Sequence, residues 1–162
     1  MEQINETQRD REYLRALFFL GAHEEPVGPS KLSELMGISR AGALQKNRRI
    51  EKLGYGKYIE NKGILLNEKA VESIKKDISK HHAIETFFKK SLGMDAKEAC
   101  EESSKIENHV SSRLLQKIYD ELEDELDCEC GNCIDPNLDS NPEDLYDCHW
   151  YKKRFSILES TD

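Results

Sequence analysis

Between Ser30 and Gly54 the chain carries two short amphipathic segments, SKLSELMG and RAGALQKNRRIEKLG, joined through Gly37-Ile38-Ser39, and few folds accommodate that arrangement. Ser30 is placed to cap the first segment, Leu32, Leu35 and Met36 point inward, and Gly37 closes it in the left-handed conformation that glycine adopts readily. Ser39 then caps the second segment. There Ala43, Ile50 and Leu53 make a buried stripe, while Arg40, Gln45, Lys46, Arg48 and Arg49 lie largely outside it. A helix, a glycine turn and a capped basic helix in that order make a helix-turn-helix.

The flanking sequence extends this unit on both sides. Tyr13, Ala16, Leu17 and Leu20 recur at helical spacing and predict a preceding helix that stops at Gly21 and the loop HEEPVGPS. Beyond Gly54, the runs KYIE and GILL flank Asn61-Lys62-Gly63, which predicts a hairpin placed as a wing. Asn67 then opens a long helix with Val71, Ile74, Ile78 and Ile84 at three-to-four spacing. Asp95 begins DAKEACEESSKIENHV, and Ser111 or Ser112 caps SRLLQKIYDELEDEL. Leu115, Ile118, Tyr119 and Leu122 give this last helix an apolar face that needs a partner, within the chain or across a dimer. The expected fold is mainly α with a small β wing.

Charge becomes informative once it is divided along the chain. The net charge is −8, but Ile38 to Lys80 holds 11 Lys and Arg against 5 Asp and Glu, and His81 to Asp162 holds 9 against 20. A basic segment joined to an acidic one suits a reader of double-stranded DNA with a separate sensing or assembly half. The basic helix offers Arg40, Gln45, Lys46, Arg48 and Arg49 to bases and phosphates, and the Ser39 hydroxyl and first-turn amides to a phosphate. The wing adds Tyr55, Lys57, Tyr58 and Lys62. No apolar run approaches the roughly 18 residues of a membrane span, so the chain is expected to be cytoplasmic and not membrane-bound. No nucleophile–base pair or Gly-rich phosphate loop stands out, so an enzyme is not expected.

Two sets of residues can hold metal. His81 and Glu85 are four apart on one helix, and Cys100, Ser104 and Glu107 fall at steps of four and three on another, so each set shares a face. Four of the five cysteines crowd into a loop-like, Asp-, Asn- and Pro-containing segment: Cys128, Cys130 and Cys133 form C-x-C-x-x-C, and Cys148 supplies a fourth thiol, followed by His149. Four thiolates close a tetrahedral zinc site or hold an iron–sulfur cluster, and the spacing does not choose between them.

The pieces EYLRALFFL, KLSELMGISRAGALQKNRRIEKLG, the wing, KHHAIETFF, LGMDAKEACEESSKIENHVS and CGN occur in one order, and together they resemble the diphtheria-toxin-repressor family. The resemblance runs from about Arg11 to Ile134. It implies a homodimeric, winged-helix repressor in which a divalent iron or manganese ion, bound between the first helix and the dimerisation domain, adjusts the DNA-binding domains. By position, it implies that Glu12 is a first-helix ligand, His81 and Glu85 an ancillary or second-site pair, Cys100 the substitute for a histidine ligand, and Glu107 a principal carboxylate. The chain departs from the pattern at Ser104, where the family has Cys or Glu, and at Asn108, where it has His. His109 is displaced by one position, a rotation of about 100 degrees on a helix, so it does not simply substitute. A regulator with that helical site altered still needs a signal, which favours an iron–sulfur cluster, with zinc as the other occupant, at the cysteine-rich tail.

The expected organisation is a winged helix-turn-helix in residues 1–74, a helical dimerisation and metal-sensing domain in 75–126, and a cysteine-rich metal- or cluster-binding tail in 127–162. The expected function is a metal- or iron–sulfur-responsive transcriptional regulator, a repressor of metal-homeostasis or redox genes. The competing reading is a winged-helix adaptor that docks on another protein, with a structural zinc site and no DNA binding.

Overall fold

The computed structural model describes residues 4–122, which fall into two compact units, one reaching to Ile74 and the other beginning at Lys75. The first unit contains α1 (Gln8–Phe19), α2 (Pro29–Met36), α3 (Arg40–Lys52), β1 (Gly56–Ile59) and β2 (Gly63–Leu66). Helix α4 (Glu68–Leu92) opens at its end.

Local chemistry accounts for each boundary. Helix α1 starts in a capping box: the Thr7 hydroxyl accepts from the Asp10 amide, and the Asp10 carboxylate accepts from the Thr7 amide. Helix α2 begins differently from the sequence expectation. Its N-cap is Gly28 and Pro29 occupies the first turn, so Ser30 lies inside the helix and does not cap it. Proline fits there because its missing N–H is one that a first turn leaves unpaired and its fixed φ suits the helix. Gly37 ends α2 in the left-handed region at φ 62°, and Ser39 caps α3 by accepting from the Gly42 amide at 3.0 Å.

Strands β1 and β2 pair antiparallel, with Ile59 opposite Gly63, so the turn is Glu60-Asn61-Lys62 with Asn61 at φ 60°. Val27 joins the wing by exchanging two backbone hydrogen bonds with Ile64, at 2.9 and 3.0 Å. Gly63, at φ 121°, permits this approach, because a Cβ there would collide with the Val27 carbonyl. The core beneath is built from Leu14, Leu17 and Phe18 of α1, Leu32 of α2, Ala43 and Ile50 of α3, and Ile64 of the wing, all buried. Full burial of each large aliphatic or aromatic side chain contributes about 1.5–3 kcal/mol.

In the second unit, Ala83 and Ile84 of α4 form a buried cluster with Ile118 and Leu122 of α6 (Ser112–Leu122). Phe87, Phe88, Val110, Leu115 and Tyr119 pack around it, so the apolar face of α6 finds its partner within the chain. Ser111 caps α6 by accepting from the Leu114 amide, and Ser79 and Tyr119 share a hydroxyl–hydroxyl hydrogen bond of 2.9 Å. Asp95 caps α5 (Ala96–Ile106) by accepting from the Glu98 amide. Helix α5 stops at Ile106, short of the expected Val110, because the chain turns over Glu107–His109, where the His109 amide donates back to Ile106.

Candidate functional site

In the second unit, α4 and α5 bring three metal-capable side chains together. His81 and Glu85 lie one turn apart on α4, Cys100 projects from α5, and their ligand atoms all fall within 4.8 Å of one another. The His81 Nε2 is 3.5 Å from Glu85 Oε2 and 3.7 Å from Cys100 Sγ. On the other side of the ring, Nδ1 lies 2.6 Å from Glu107 Oε2. The imidazole is fully buried, and Glu107 is 1% exposed.

Each neighbour has an electrostatic effect. Burial opposes a charge on His81, but contacts with Cys100, Glu107 and Glu85 outweigh it and push the imidazole up to about 10. Burial raises Glu85 while His81, His82 and Lys89 draw it down, and the net direction is below the ordinary carboxylate value. Lys89 Nζ sits 3.6 Å from Oε1 of Glu85, and His82 Nδ1 lies 3.8 Å from Oε2. His82, itself 3% exposed, had no place in the expected ligand set; its adjacency to His81 on a helix that also carries Glu85 was the available signal.

Imidazole nitrogen, thiol sulfur and carboxylate oxygen are a donor set that suits a divalent transition-metal ion. A metal-ligating histidine usually gives its other ring N–H to a carboxylate, which fixes the tautomer and the ring orientation, and Glu107 stands where such a partner would. Glu107 is therefore placed against Nδ1 and is not one of the three converging donors. Ser104 does not join them either, since its hydroxyl donates to the Cys100 carbonyl at 2.9 Å. Glu12 lies half-buried on α1 in the first unit. Cys128, Cys130, Cys133 and Cys148 lie outside the described residues.

The first unit presents the basic surface. Arg40, Gln45, Lys57 and Lys62 are exposed, and an open groove of about 630 Å³ runs between α3 and the wing, lined by Arg40, Ala41, Leu44, Tyr58, Asn61 and Lys62 among others. Other cations of α3 have partners within the unit. Lys46 lies 5.0 Å above the Tyr13 ring, and Arg48 stacks 3.9 Å from the Tyr58 ring while bonding Glu60 at 2.9 Å. Arg49 donates through Nε and Nη2 to both carboxylate oxygens of Asp10, at 2.7 and 2.8 Å, and through Nη2 to the Asn5 carbonyl. Burial would raise the Asp10 carboxyl, but the bonds from Arg49 and Thr7 hold it down at about 2. Tyr55 donates to Glu6 at 2.7 Å, so the segment before α1 is tied to α3 and the wing through two side chains.

Residues 67–136 match the family model described as the iron dependent repressor, metal binding and dimerisation domain. An uncharacterized HTH-type transcriptional regulator of Methanocaldococcus jannaschii is 31% identical over 113 residues, which cover 69% of this chain and 90% of that protein. Among solved structures, a hypothetical protein from Sulfolobus solfataricus superposes with a TM-score of 0.65 at 21% identity, covering 73% of this chain and 90% of the other. The T. acidophilum IdeR structure gives 0.58 at 18% identity, covering 85% of this chain and 63% of that one. A manganese-dependent transcriptional repressor in complex with manganese gives 0.61 at 22% identity, covering 82% and 60%. No helix among the described residues is long and apolar enough to cross a membrane.

Proposed function

The chain belongs to the iron-dependent repressor family of winged-helix, metal-responsive transcriptional regulators, and on that premise we propose that it represses transcription as a cytoplasmic homodimer whose affinity for double-stranded DNA is set by a divalent metal at the His81, Glu85 and Cys100 site. The observation that carries this reading is the convergence of those three donors, with His81 held from behind by Glu107, in a chain that also presents a capped basic helix and a wing. Bound there, a divalent ion supplies positive charge and fixed coordination directions that tie α4 to α5. There His81 would offer Nε2 while Glu107 keeps Nδ1 as a donor, Glu85 would offer a carboxylate oxygen, and Cys100 would bind through sulfur after losing its thiol proton to solvent. Such occupancy changes DNA affinity only through a coupling free energy, of order 1–3 kcal/mol in typical regulators.

On the DNA side, Arg40, Gln45, Lys57 and Lys62 are read as the contacts to bases and backbone, with Ser39, Lys46 and Arg48 positioned beside them. Arg49, engaged with Asp10, is read chiefly as the residue that orients α3. Both the metal part and the homodimer part of the proposal are supported by the metal binding and dimerisation domain that the family model describes. A second site, zinc or an iron–sulfur cluster at Cys128, Cys130, Cys133 and Cys148, is proposed on their spacing alone. Metal and sulfide analysis of the wild type against a Cys130→Ser, Cys133→Ser variant tests it.

The test of the DNA-reading half is fluorescence anisotropy with the duplex upstream of the protein's own gene, titrated at rising salt. A DNA reader loses affinity linearly in log–log form, with a slope of about −0.9 per phosphate contacted. Arg40→Ala and Lys62→Ala should weaken binding. Absence of salt-sensitive binding to any duplex would favour the protein-docking adaptor.

A further inference from the structure

We propose that Cys100 is the specificity-determining residue of the helical site, making its three donors a centre of low coordination number for thiophilic ions of the zinc and cobalt class and closing it to manganese. The inference rests on the reading of His81, Glu85 and Cys100 as a metal site, and three independent observations carry it further.

The first is donor chemistry. A thiolate beside an imidazole favours Zn(II), Co(II) and Fe(II), whereas Mn(II) sits at the weak end of the divalent series and prefers oxygen-rich, octahedral surroundings. Binding exchanges the Cys100 S–H bond for a sulfur–metal bond and releases the proton to solvent, with no change in oxidation state.

The second is spacing. Ligand bonds of about 2.0–2.3 Å meeting at a tetrahedral angle separate neighbouring donors by roughly 3.3–3.6 Å, while the same bonds at right angles bring them nearer to about 3.0 Å. The separations here, 3.5 Å from His81 Nε2 to Glu85 Oε2 and 3.7 Å from the same nitrogen to Cys100 Sγ, with all three ligand atoms within 4.8 Å of one another, lie at and just beyond the tetrahedral separation and are wider than the right-angle one.

The third is the orientation of Glu85. Lys89 lies beside Oε1, and Oε2 is the oxygen turned toward His81. The carboxylate is thus set to give one oxygen, which suits a low coordination number.

The test uses the full chain. Co(II) is titrated anaerobically into the wild type and Cys100→Ser, and the difference spectrum isolates the Cys100 contribution, because the tail thiols are common to both. Zn(II) and Mn(II) then compete against the cobalt-loaded protein, and Cys100→His supplies a second variant that keeps a donor at the position. The expected result is a wild-type minus Cys100→Ser difference spectrum that carries a sulfur-to-cobalt charge-transfer band and intense tetrahedral visible bands. Zn(II) should displace cobalt where excess Mn(II) does not, and the zinc-over-manganese preference should shrink at least about tenfold in Cys100→His. Cobalt uptake that needs His81, shown by its loss in His81→Gln, combined with identical spectra in wild type and Cys100→Ser or an unchanged preference in Cys100→His, would overturn the assignment while leaving the metal site standing. Uptake and spectra indifferent to both His81→Gln and Cys100→Ser would overturn the metal-site reading itself, and this assignment with it.

Discussion

Glu107 holds the Nδ1 of His81 at 2.6 Å in a fully buried contact, and that single hydrogen bond turns Nε2 toward Glu85 and Cys100. A carboxylate behind a ligating imidazole raises its basicity and fixes its orientation, and removing such a partner usually costs about 10–100-fold in metal affinity. Glu107→Gln should weaken metal binding within that range while leaving the α4–α6 cluster intact, as measured by competition with a chromophoric chelator and by thermal denaturation of the metal-free protein. Unchanged metal affinity would detach Glu107 from the site.

The raised imidazole pKa has consequences of opposite sign for stability and for metal binding. His81 stands at about 10 against an ordinary 6.5, so its contribution to the metal-free fold is complete below about pH 6.5 and is lost as pH rises through 10. Metal binding must expel the Nε2 proton, so apparent metal affinity should rise across the same interval, by up to about tenfold per pH unit for one proton. Calorimetric titration in buffers of different ionisation enthalpy checks this. About two protons per metal are expected to be released, one from the Cys100 thiol and one from His81 Nε2; release of about one in the wild type, with none left in Cys100→Ser, would mean that His81 is neutral before binding.

At the other unit, Asp10 joins α1 to α3 by accepting from Thr7 and Arg49 together. Thr7→Ala should cost about 1 kcal/mol as a lost N-cap, and Asp10→Ala should cost more, since it also strips Arg49 of its partner. With Asp10 held at about 2 against an ordinary 3.8, the stabilisation is complete above pH 3.8 and disappears as pH falls through 2. Urea midpoints between pH 2 and 5 should show a slope in the wild type that is absent in Asp10→Ala.

The same pairing separates two arginines of α3. Arg49→Ala should lower the urea midpoint, whereas Arg40→Ala, at an exposed position, should leave it unchanged and weaken DNA binding. A pair of measurements, denaturation and anisotropy, decides it; equal stability of both variants with equal loss of DNA affinity would return Arg49 to the contact surface.

Gly63 offers a test of the wing. Its φ of 121° and the Val27 carbonyl beside it leave no room for a Cβ, so Gly63→Ala must displace the Val27–Ile64 bridge. A loss of roughly 1–3 kcal/mol is expected for such overpacking, with weaker DNA binding because Lys62 precedes this residue in the turn. Retention of wild-type thermal stability would mean that the bridge is dispensable.

Much of the fold is legible in the residues, for local reasons. Gly37, Ser39, Asn67 and Asp95 announce helix ends because capping acts over three or four positions, and each of them sits at a helix boundary. The start of α2 differs from the expected Ser30 because a serine before an apolar run competes with Gly28-Pro29, although proline in a first turn is itself a helix-start signal. Helix α5 is shorter than its sequence suggests because Glu107 to Val110 carries no glycine or proline to mark the turn. The Asp10–Arg49 pair, 39 residues apart, leaves no periodic trace, so the sequence places Arg49 by charge alone. At the metal-capable site, helical spacing pairs His81 with Glu85 and sets Cys100 on a shared face with Ser104 and Glu107, and the resemblance adds that Cys100 stands where the family has a histidine ligand. That Glu107 faces Nδ1, away from the converging donors, depends on how two helices pack, and spacing along either helix carries no information on that.

Whether metal at His81 controls DNA affinity is decided by measuring that affinity for the full chain with and without a saturating divalent metal, in the wild type and in His81→Gln. Metal should strengthen wild-type binding by about 5–150-fold, the span of a 1–3 kcal/mol coupling, and leave the variant unmoved. Equal wild-type affinity with and without metal, or the same response in both proteins, would contradict that control.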